Sequence, residues 1–419
     1  MSQSTPAINL TGPCKVVRFS ALPWTVIIFV LSLLLPTTIS FSIGDFRLTI
    51  YRVVLLVFFI PCFVRVMNGR YGKALLADKL LLGYAGGMIL SLSAHLGLAG
   101  GGKSGGVLVL ESYGAYLLAR SFIRNEMQFA AFIRLLFFII ASLSLATIPE
   151  ALTGKNIFQP HVAHIGGRLG LTRAFGPFDH PILYGMFCAS AVSLTLFVPI
   201  NTLQEKGTHF FRAGWVIVAA FMSVSSGALV TVVVQLILTM WKGLTRTIAS
   251  RWHLFSILLI IVYVMIDLLS NRTPMRVFLH RLTFSAETAY TRLQIWDSGI
   301  KYNVMEHPWI GIGFDEWSRV SWLGPSIDNY WLVIMVRHGL PTFCLLSLGI
   351  IALLYTVKRY VYLSEPAQLM RTAWGFAMIG LIIAGSTVHF WNNLHAWFFF
   401  LLGSGAWMAT QGDERQKGG

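Results

Sequence analysis

The run HLFSILLIIVYVMIDLLSN, His253 to Asn271, carries one charged side chain, Asp267, in nineteen residues. A membrane helix needs ~20 mostly apolar residues to cross ~30 Å of hydrocarbon, and this run has that length. Toward the N-terminus it meets a basic segment, Lys242, Arg246 and Arg251; toward the C-terminus it opens into a long polar stretch, residues 272–340. Lys and Arg gather on the cytoplasmic side of membrane helices, so the run reads as an outward-going span that feeds a large outer loop.

Similar runs recur on both sides. Twelve spans are expected, at roughly 24–43, 48–66, 76–96, 106–123, 129–149, 181–203, 211–225, 226–242, 253–271, 341–359, 372–390 and 393–410. With the N-terminus in the cytoplasm, every inner connection is basic, including Arg65, Arg70, Lys73 and Lys79, then Arg120 and Arg124, then Lys206 and Arg212, then Lys358, Arg359 and Arg371. The expected fold is an all-α polytopic membrane protein with about 12 transmembrane helices and a large periplasmic loop between helices 9 and 10. Its parts are a cytoplasmic tail (1–20), helices 1–5 (21–149), a periplasmic loop (150–180), helices 6–9 (181–271), the large loop with a re-entrant segment (272–340), helices 10–12 (341–410) and a cytoplasmic tail (411–419).

Composition agrees: 55% of residues are hydrophobic and 12% charged, against about 25% charged in soluble domains. The net charge of +15 records orientation rather than a nucleic-acid partner. Cys14, Cys62, Cys188 and Cys344 sit in the N-terminal tail or in apolar runs, with no pair at metal-ligand spacing, so neither disulfides nor a cysteine metal site is expected. The glycine run Gly97 to Gly106 lacks the spacing of a phosphate loop and reads as a flexible outer turn. Asp78, beside Lys79, reads as interfacial, and Glu111 as facing a cavity or pairing with an arginine.

Two outer segments break the charge rule, 150–180 and 272–340. They carry Arg168, Arg173, Arg272, Arg276, Arg281, Arg292 and Arg319. Long loops translocate regardless of charge, which is one account of them. The other is an anion site, because guanidinium forks bind phosphate bidentately and stay charged.

RAFGPFDHPILYG, Arg173 to Gly185, resembles the first signature of the O-antigen ligase and polysaccharide polymerase (Wzy-like, ExoQ-like) superfamily. TRLQIWDSGIKYNVMEHPWIGIGFDEW, Thr291 to Trp317, resembles its second, and IDNYWLVIMVRHGLPTF, Ile327 to Phe343, resembles the end of its large loop returning to the membrane. The resemblance implies a bacterial inner-membrane enzyme of the GT-C/SEDS-like kind. The expected activity is that of a metal-independent, cofactor-free glycosyltransferase moving a glycan from undecaprenyl diphosphate to a sugar hydroxyl on the periplasmic face. Its partners would be the lipid-linked oligosaccharide, an acceptor glycan, membrane lipids, and a chain-length regulator and export machinery.

Two departures matter. The family often has Ser-Arg-Gly where this chain has Ser225, Ser226 and Gly227. O-antigen ligases carry His-Asn where this chain has Asp328-Asn329, whereas ExoQ-like polymerases more often show Asp-Asn and the SEDS polymerases use a large-loop aspartate. Polymerase is therefore preferred over O-antigen ligase or protein O-oligosaccharyltransferase; a lipid-linked glycan transporter is the alternative of another class.

The reaction needs positive charge on the leaving diphosphate, for which Arg173 and Arg292 are first choices, and a general base for the acceptor hydroxyl, for which Asp328 is the candidate. Asp328 equally suits an N-cap of the helix that begins near Asn329. Substrate contacts are assigned to His180, Arg281, Arg168, Asn329, Trp296 and His338. Trp309, Trp317, Trp322 and Trp331 are belt residues or sugar-stacking surfaces, Glu287 and Glu306 reserve carboxylates, and His307 a turn element.

Overall fold

The computed structural model describes residues 21–43, 46–70, 72–162, 166–198, 207–270, 277, 286–361 and 363–410. The described residues are mostly helical. Its elements are α1 (Trp24–Ser32), a hairpin of β1 (Ser40–Ile43) and β2 (Phe46–Thr49), α2 (Ile50–Met67), α3 (Leu76–Val109), α4 (Ala115–Phe122) and α5 (Glu126–Thr153). After a small hairpin, β3 (Gly167–Arg168) with β4 (Leu171–Thr172), come α6 (Pro181–Ala189), α7 (Val192–Phe197), α8 (Thr208–Phe221), α9 (Ser226–Leu244) and α10 (Arg251–Leu269). The last four are α11 (Ala286–Gly299), α12 (Tyr330–Arg359), α13 (Glu365–Ala384) and α14 (Asn392–Ser404).

Among the described residues seven helical runs are long and apolar enough to cross a membrane: Ile50–Met67, Leu76–Phe122, Glu126–Thr153, Ser226–Leu244, Arg251–Leu269, Tyr330–Arg359 and Glu365–Ala384. The other expected spans are shorter or broken. Pro36, which resists helix at itself and the residue before it, closes the first after Ser32. The sixth breaks into α6 and α7 at Ser190 and Ala191. Buried Gln235 mends that break: its Nε2 donates to the Ala189 carbonyl at 2.8 Å, and its Oε1 accepts from Ser193 N at 2.9 Å. Apolar surroundings offer no water, so a freed backbone group must find such a partner.

The glycine run is the main correction. Only Gly97 leaves helical geometry, at φ 72°, and the residues after it are helical up to Phe122, Leu110–Gly114 as a π-helical turn. A Cβ on Gly101 would lie 2.3 Å from the Ser93 Cα, and one on Gly105 3.0 Å from the Ile89 Cα. Both pairs are symmetric about Gly97, so the chain doubles back there as a helical hairpin. Its arms meet backbone to backbone, the small-residue packing that membrane helices use.

Two buried ion pairs fasten this hairpin. Asp78 is fully buried rather than interfacial, paired with Arg120 Nε at 2.8 Å and accepting from Tyr116 Oη at 2.5 Å. Glu111 is paired with Arg52 at 2.8 Å and accepts from Tyr51 Oη at 2.5 Å, as one of the two expectations had it. Removing one partner of such a pair costs about 3–5 kcal/mol.

The second broken helix organises the large loop. α12 leaves helical geometry at Gly339 (φ 79°), and Trp309–Phe314 docks into the break. Ile312 N donates to Val336 O at 2.9 Å, Gly313 N to Arg337 O at 3.0 Å, and Leu340 N to Pro308 O at 2.7 Å. The docked segment satisfies the groups the break exposes. Gly311 and Gly313 have left-handed φ, and a Cβ on Gly311 would come within 2.5 Å of the α12 backbone, which is why glycine is needed there. Ser91 and His95 of α3 hold the same segment through the carbonyls of Ile310 and Gly311.

Candidate active site

The turn that carries Arg173 is built by Glu150, at the C-terminal end of α5. This carboxylate is buried and accepts from Phe175 N, Gly176 N and Asn156 Nδ2, each at 3.0 Å. Asn156 closes the ring by donating to the Gly176 carbonyl at 2.9 Å. Ala174 N reaches Met222 O at 3.0 Å, and Arg173 Nε lies 3.4 Å from Ser223 O. The end of α8 thus forms the wall against which Arg173 rests. Burial, reinforced by nearby Arg168, pushes the Arg173 guanidinium down to about 10, still charged at neutral pH.

Arg168 ends β3, beside a two-residue turn in which Leu169 and Gly170 both have positive φ, as such turns require. His180 caps α6, its Nδ1 accepting from Ile182 N at 3.1 Å. Burial and the positive field of Arg173 bring His180 down to about 4, against the opposing pull of Asp328. A neutral ring that accepts at Nδ1 carries its proton on Nε2.

Arg292 comes from the other long loop, on α11, and is 9% exposed. One Nη donates to Ser226 Oγ at 3.0 Å; its Nε and other Nη are buried with no hydrogen-bond partner among the described residues. Ser226, in the place where the family often has arginine, is thus what Arg292 leans on. Burial lowers the Arg292 pKa, Asp328 opposes that, and Arg168 adds to it.

Asp328 is half-buried and accepts from Ser326 Oγ at 2.8 Å. It does not cap α12. Asn329 does, its side chain accepting from Leu332 N at 3.0 Å. The cap reading of Asp328 therefore fails, and its carboxylate sits within electrostatic reach of Arg292, His180 and His389. Residues of the two long loops, more than a hundred positions apart in the chain, come together, with Arg168, Arg173, His180, Arg292 and Asp328 in one electrostatic neighbourhood.

The remaining candidates divide. Trp296 packs against the loop's own apolar core, with Ile295, Trp317 and Leu332 among its members. His338 is buried one residue before the Gly339 break, its Nδ1 without a hydrogen-bond partner among the described residues. Arg319 serves the loop itself, bonded to Glu316 at 2.7 Å and to the Leu323 and Trp317 carbonyls. Trp317 and Trp331 spend their indole N–H on the Pro325 and Ile382 carbonyls, whereas Trp309 and Trp322 are exposed. Arg272, Arg276 and Arg281 lie outside the described residues.

Sequence reading missed four neighbours. Glu150 was counted only as the start of a loop. Asp179 accepts from Thr37 Oγ1 at 2.8 Å and from Asn392 Nδ2 at 3.2 Å, tying the His180 turn to the ends of two other elements. Trp391 meets the His180 ring at 5.5 Å and the His389 ring at 5.8 Å. All three non-glycine residues with positive φ among those described, Leu169, Val224 and Asn392, adjoin this region. Such strain collects at functional sites, and nothing in the composition of the segments signals it.

Residues 213–347 match the family model described as O-antigen ligase, a stretch that includes Ser226, Arg292, Asp328 and His338 but begins after Arg173 and His180. No curated protein matches the chain. The matched segment, about a third of the chain, is similar to the O-antigen ligase and Wzy-like superfamily, and together with the apolar helices around it supports a multi-pass membrane protein of polysaccharide biosynthesis.

Proposed function

We propose that the chain is a polysaccharide polymerase, which moves a glycan from a polyprenyl diphosphate carrier onto a sugar hydroxyl at the periplasmic face. The observation that carries the reading is the convergence of three arginines and one aspartate from two separate loops. Arg292 has two buried nitrogens without hydrogen-bond partners among the described residues, and a diphosphate oxygen answers that need. Arg173 and Arg168 add charge beside it. As the bond from the anomeric carbon to the diphosphate breaks, its electron pair goes to a phosphate oxygen that these guanidinium groups stabilise.

The acceptor hydroxyl attacks the anomeric carbon and gives its proton to Asp328. Neutral His180, with Nε2–H free of its capping role, donates to a sugar or phosphate oxygen. Asn329 holds the start of α12, and so the position of Asp328. Guanidinium groups take the part that a divalent ion plays in other diphosphate chemistry, so turnover is expected without added metal.

An O-antigen ligase differs only in its acceptor, and the family description favours that second reading. The aspartate at 328 favours polymerisation. Deleting the gene and profiling surface glycans separates them. Loss of long polymer with single lipid-linked repeats accumulating supports the polymerase, free polymer left on its carrier supports the ligase, and an unchanged profile contradicts both.

A further inference from the structure

Three histidines share one electrostatic neighbourhood, and one of them, His389, lies within reach of Asp328: His338 in α12, His389 in the α13–α14 connection and His395 in α14. Two of them pack on Tyr330, His389 stacked at 6.2 Å and His395 edge-on at 5.7 Å, and His338 lies within electrostatic reach of His395. The connection is pinned where it passes the start of α12, since Tyr330 N lies 2.8 Å from Gly385 O and 3.1 Å from Val388 O. His389 therefore follows a residue bonded to Tyr330, and Asp328 precedes Tyr330 by two.

One ring nitrogen of each histidine, His338 Nδ1, His389 Nδ1 and His395 Nε2, is buried with no hydrogen-bond partner among the described residues. An orphaned buried polar atom costs ~1–3 kcal/mol, so native proteins keep few of them. Three in one electrostatic neighbourhood, two of them against Tyr330 and one within reach of Asp328, call for a working role.

We propose that His389 is a proton relay, taking from Asp328 the proton that the acceptor hydroxyl gives up, with His395 and His338 behind it. The proposal rests on the glycosyl-transfer reading of the site. The acceptor O–H bond breaks and its proton goes to the Asp328 carboxylate while the acceptor oxygen bonds to the anomeric carbon. That proton then moves to His389 Nδ1 through a bridging water, and the carboxylate is restored for the next cycle.

The groups that face His389 suit this traffic. Asp328 favours its charged form, Arg337 opposes it, His395 stands across Tyr330, and His180 stands across Trp391. Burial pushes the His389 imidazole down to about 4, so it rests neutral and passes its proton on rather than keeping it.

The test uses the purified full-length protein with a polyprenyl-diphosphate oligosaccharide, measuring initial rates against pH in H2O and D2O. His389→Gln is expected to lower kcat by about tenfold or more, part of the ~10²–10⁴ that general-base catalysis supplies, with donor KM little changed. Its acid limb is also expected to be less steep than the parent's, because one fewer group must be proton-free. A glutamine variant with parental kcat and acid limb overturns the relay, as does a kcat loss that leaves the limb's steepness unchanged. Should His389→Gln fail to accumulate, His395→Gln is read the same way, and parental kcat and limb there also overturn it. Asp328→Asn, run in parallel, separates the levels: full activity there contradicts the parent reading, whereas an inactive Asp328→Asn beside a normal His389→Gln contradicts the relay alone.

Discussion

Glu150→Gln removes the charge that holds the Arg173 turn while keeping side-chain size. In the parent, three donors converge on one buried carboxylate, two backbone N–H groups and the Asn156 amide. Hydrogen bonds to a charged group are worth ~1.5–3 kcal/mol each. A glutamine keeps one acceptor oxygen and turns an NH2 toward a remaining donor, so about 2–4 kcal/mol of local ordering is lost. Arg173 lies two residues before Phe175, and a displacement of about 1 Å at a charge-stabilising group costs ~10²-fold in rate. Transfer activity at matched protein level is therefore expected to fall by ~10–10²-fold, and amide exchange at Phe175 and Gly176 to speed up. Parental exchange at those two amides would refute the reasoning whatever the activity. Faster exchange with parental activity would show that the position of Arg173 is immaterial.

Arg292→Lys keeps a positive charge but loses the planar fork and the Ser226 contact, and kcat is expected to fall by ~10²-fold; parental turnover would mean that a point charge suffices. Gly339→Ala places a Cβ 2.3 Å from the Trp309 carbonyl at a residue with φ +79°, so a destabilisation of about 2 kcal/mol or more is expected in thermal unfolding, with the large loop affected first. Stability should also fall as pH drops from 6.5 toward 4. His180 and His389 are each brought down to about 4 in the folded protein, so across that window the unfolded chain binds more protons. Replacing either by glutamine should flatten the unfolding profile between pH 6.5 and 4.

The helical membrane architecture was legible because apolar length is a strong local signal: runs such as 253–271 and 129–149 are helical in the structure nearly to their expected ends. Breaks were less legible. Gly97 and Gly339 look alike in sequence to helical glycines such as Gly101, and only the partners packed against each decide which one bends. The sixth span was read through because its repair comes from Gln235, some forty residues on. At the candidate site, loop position, charge and motif single out Arg168, Arg173, His180, Arg292 and Asp328, and the structure places these five in one electrostatic neighbourhood. Asp328 was allowed a capping role that belongs to Asn329, since the residue types suit either place. Glu150, Asp179, His389 and Trp391 were missed because what distinguishes them is burial beside distant segments.

Because Asn329 caps α12, Asp328→Asn removes a proton acceptor without loosening the helix. This makes initial-rate measurement of glycan transfer by that variant, with a defined polyprenyl-diphosphate oligosaccharide and an acceptor sugar, the most direct test of the site. The expected result is a ~10²–10⁴-fold loss of kcat with protein accumulation and donor binding unchanged. Full transfer by Asp328→Asn would contradict the account, leaving the arginines as a binding surface and the acceptor's proton to some other group.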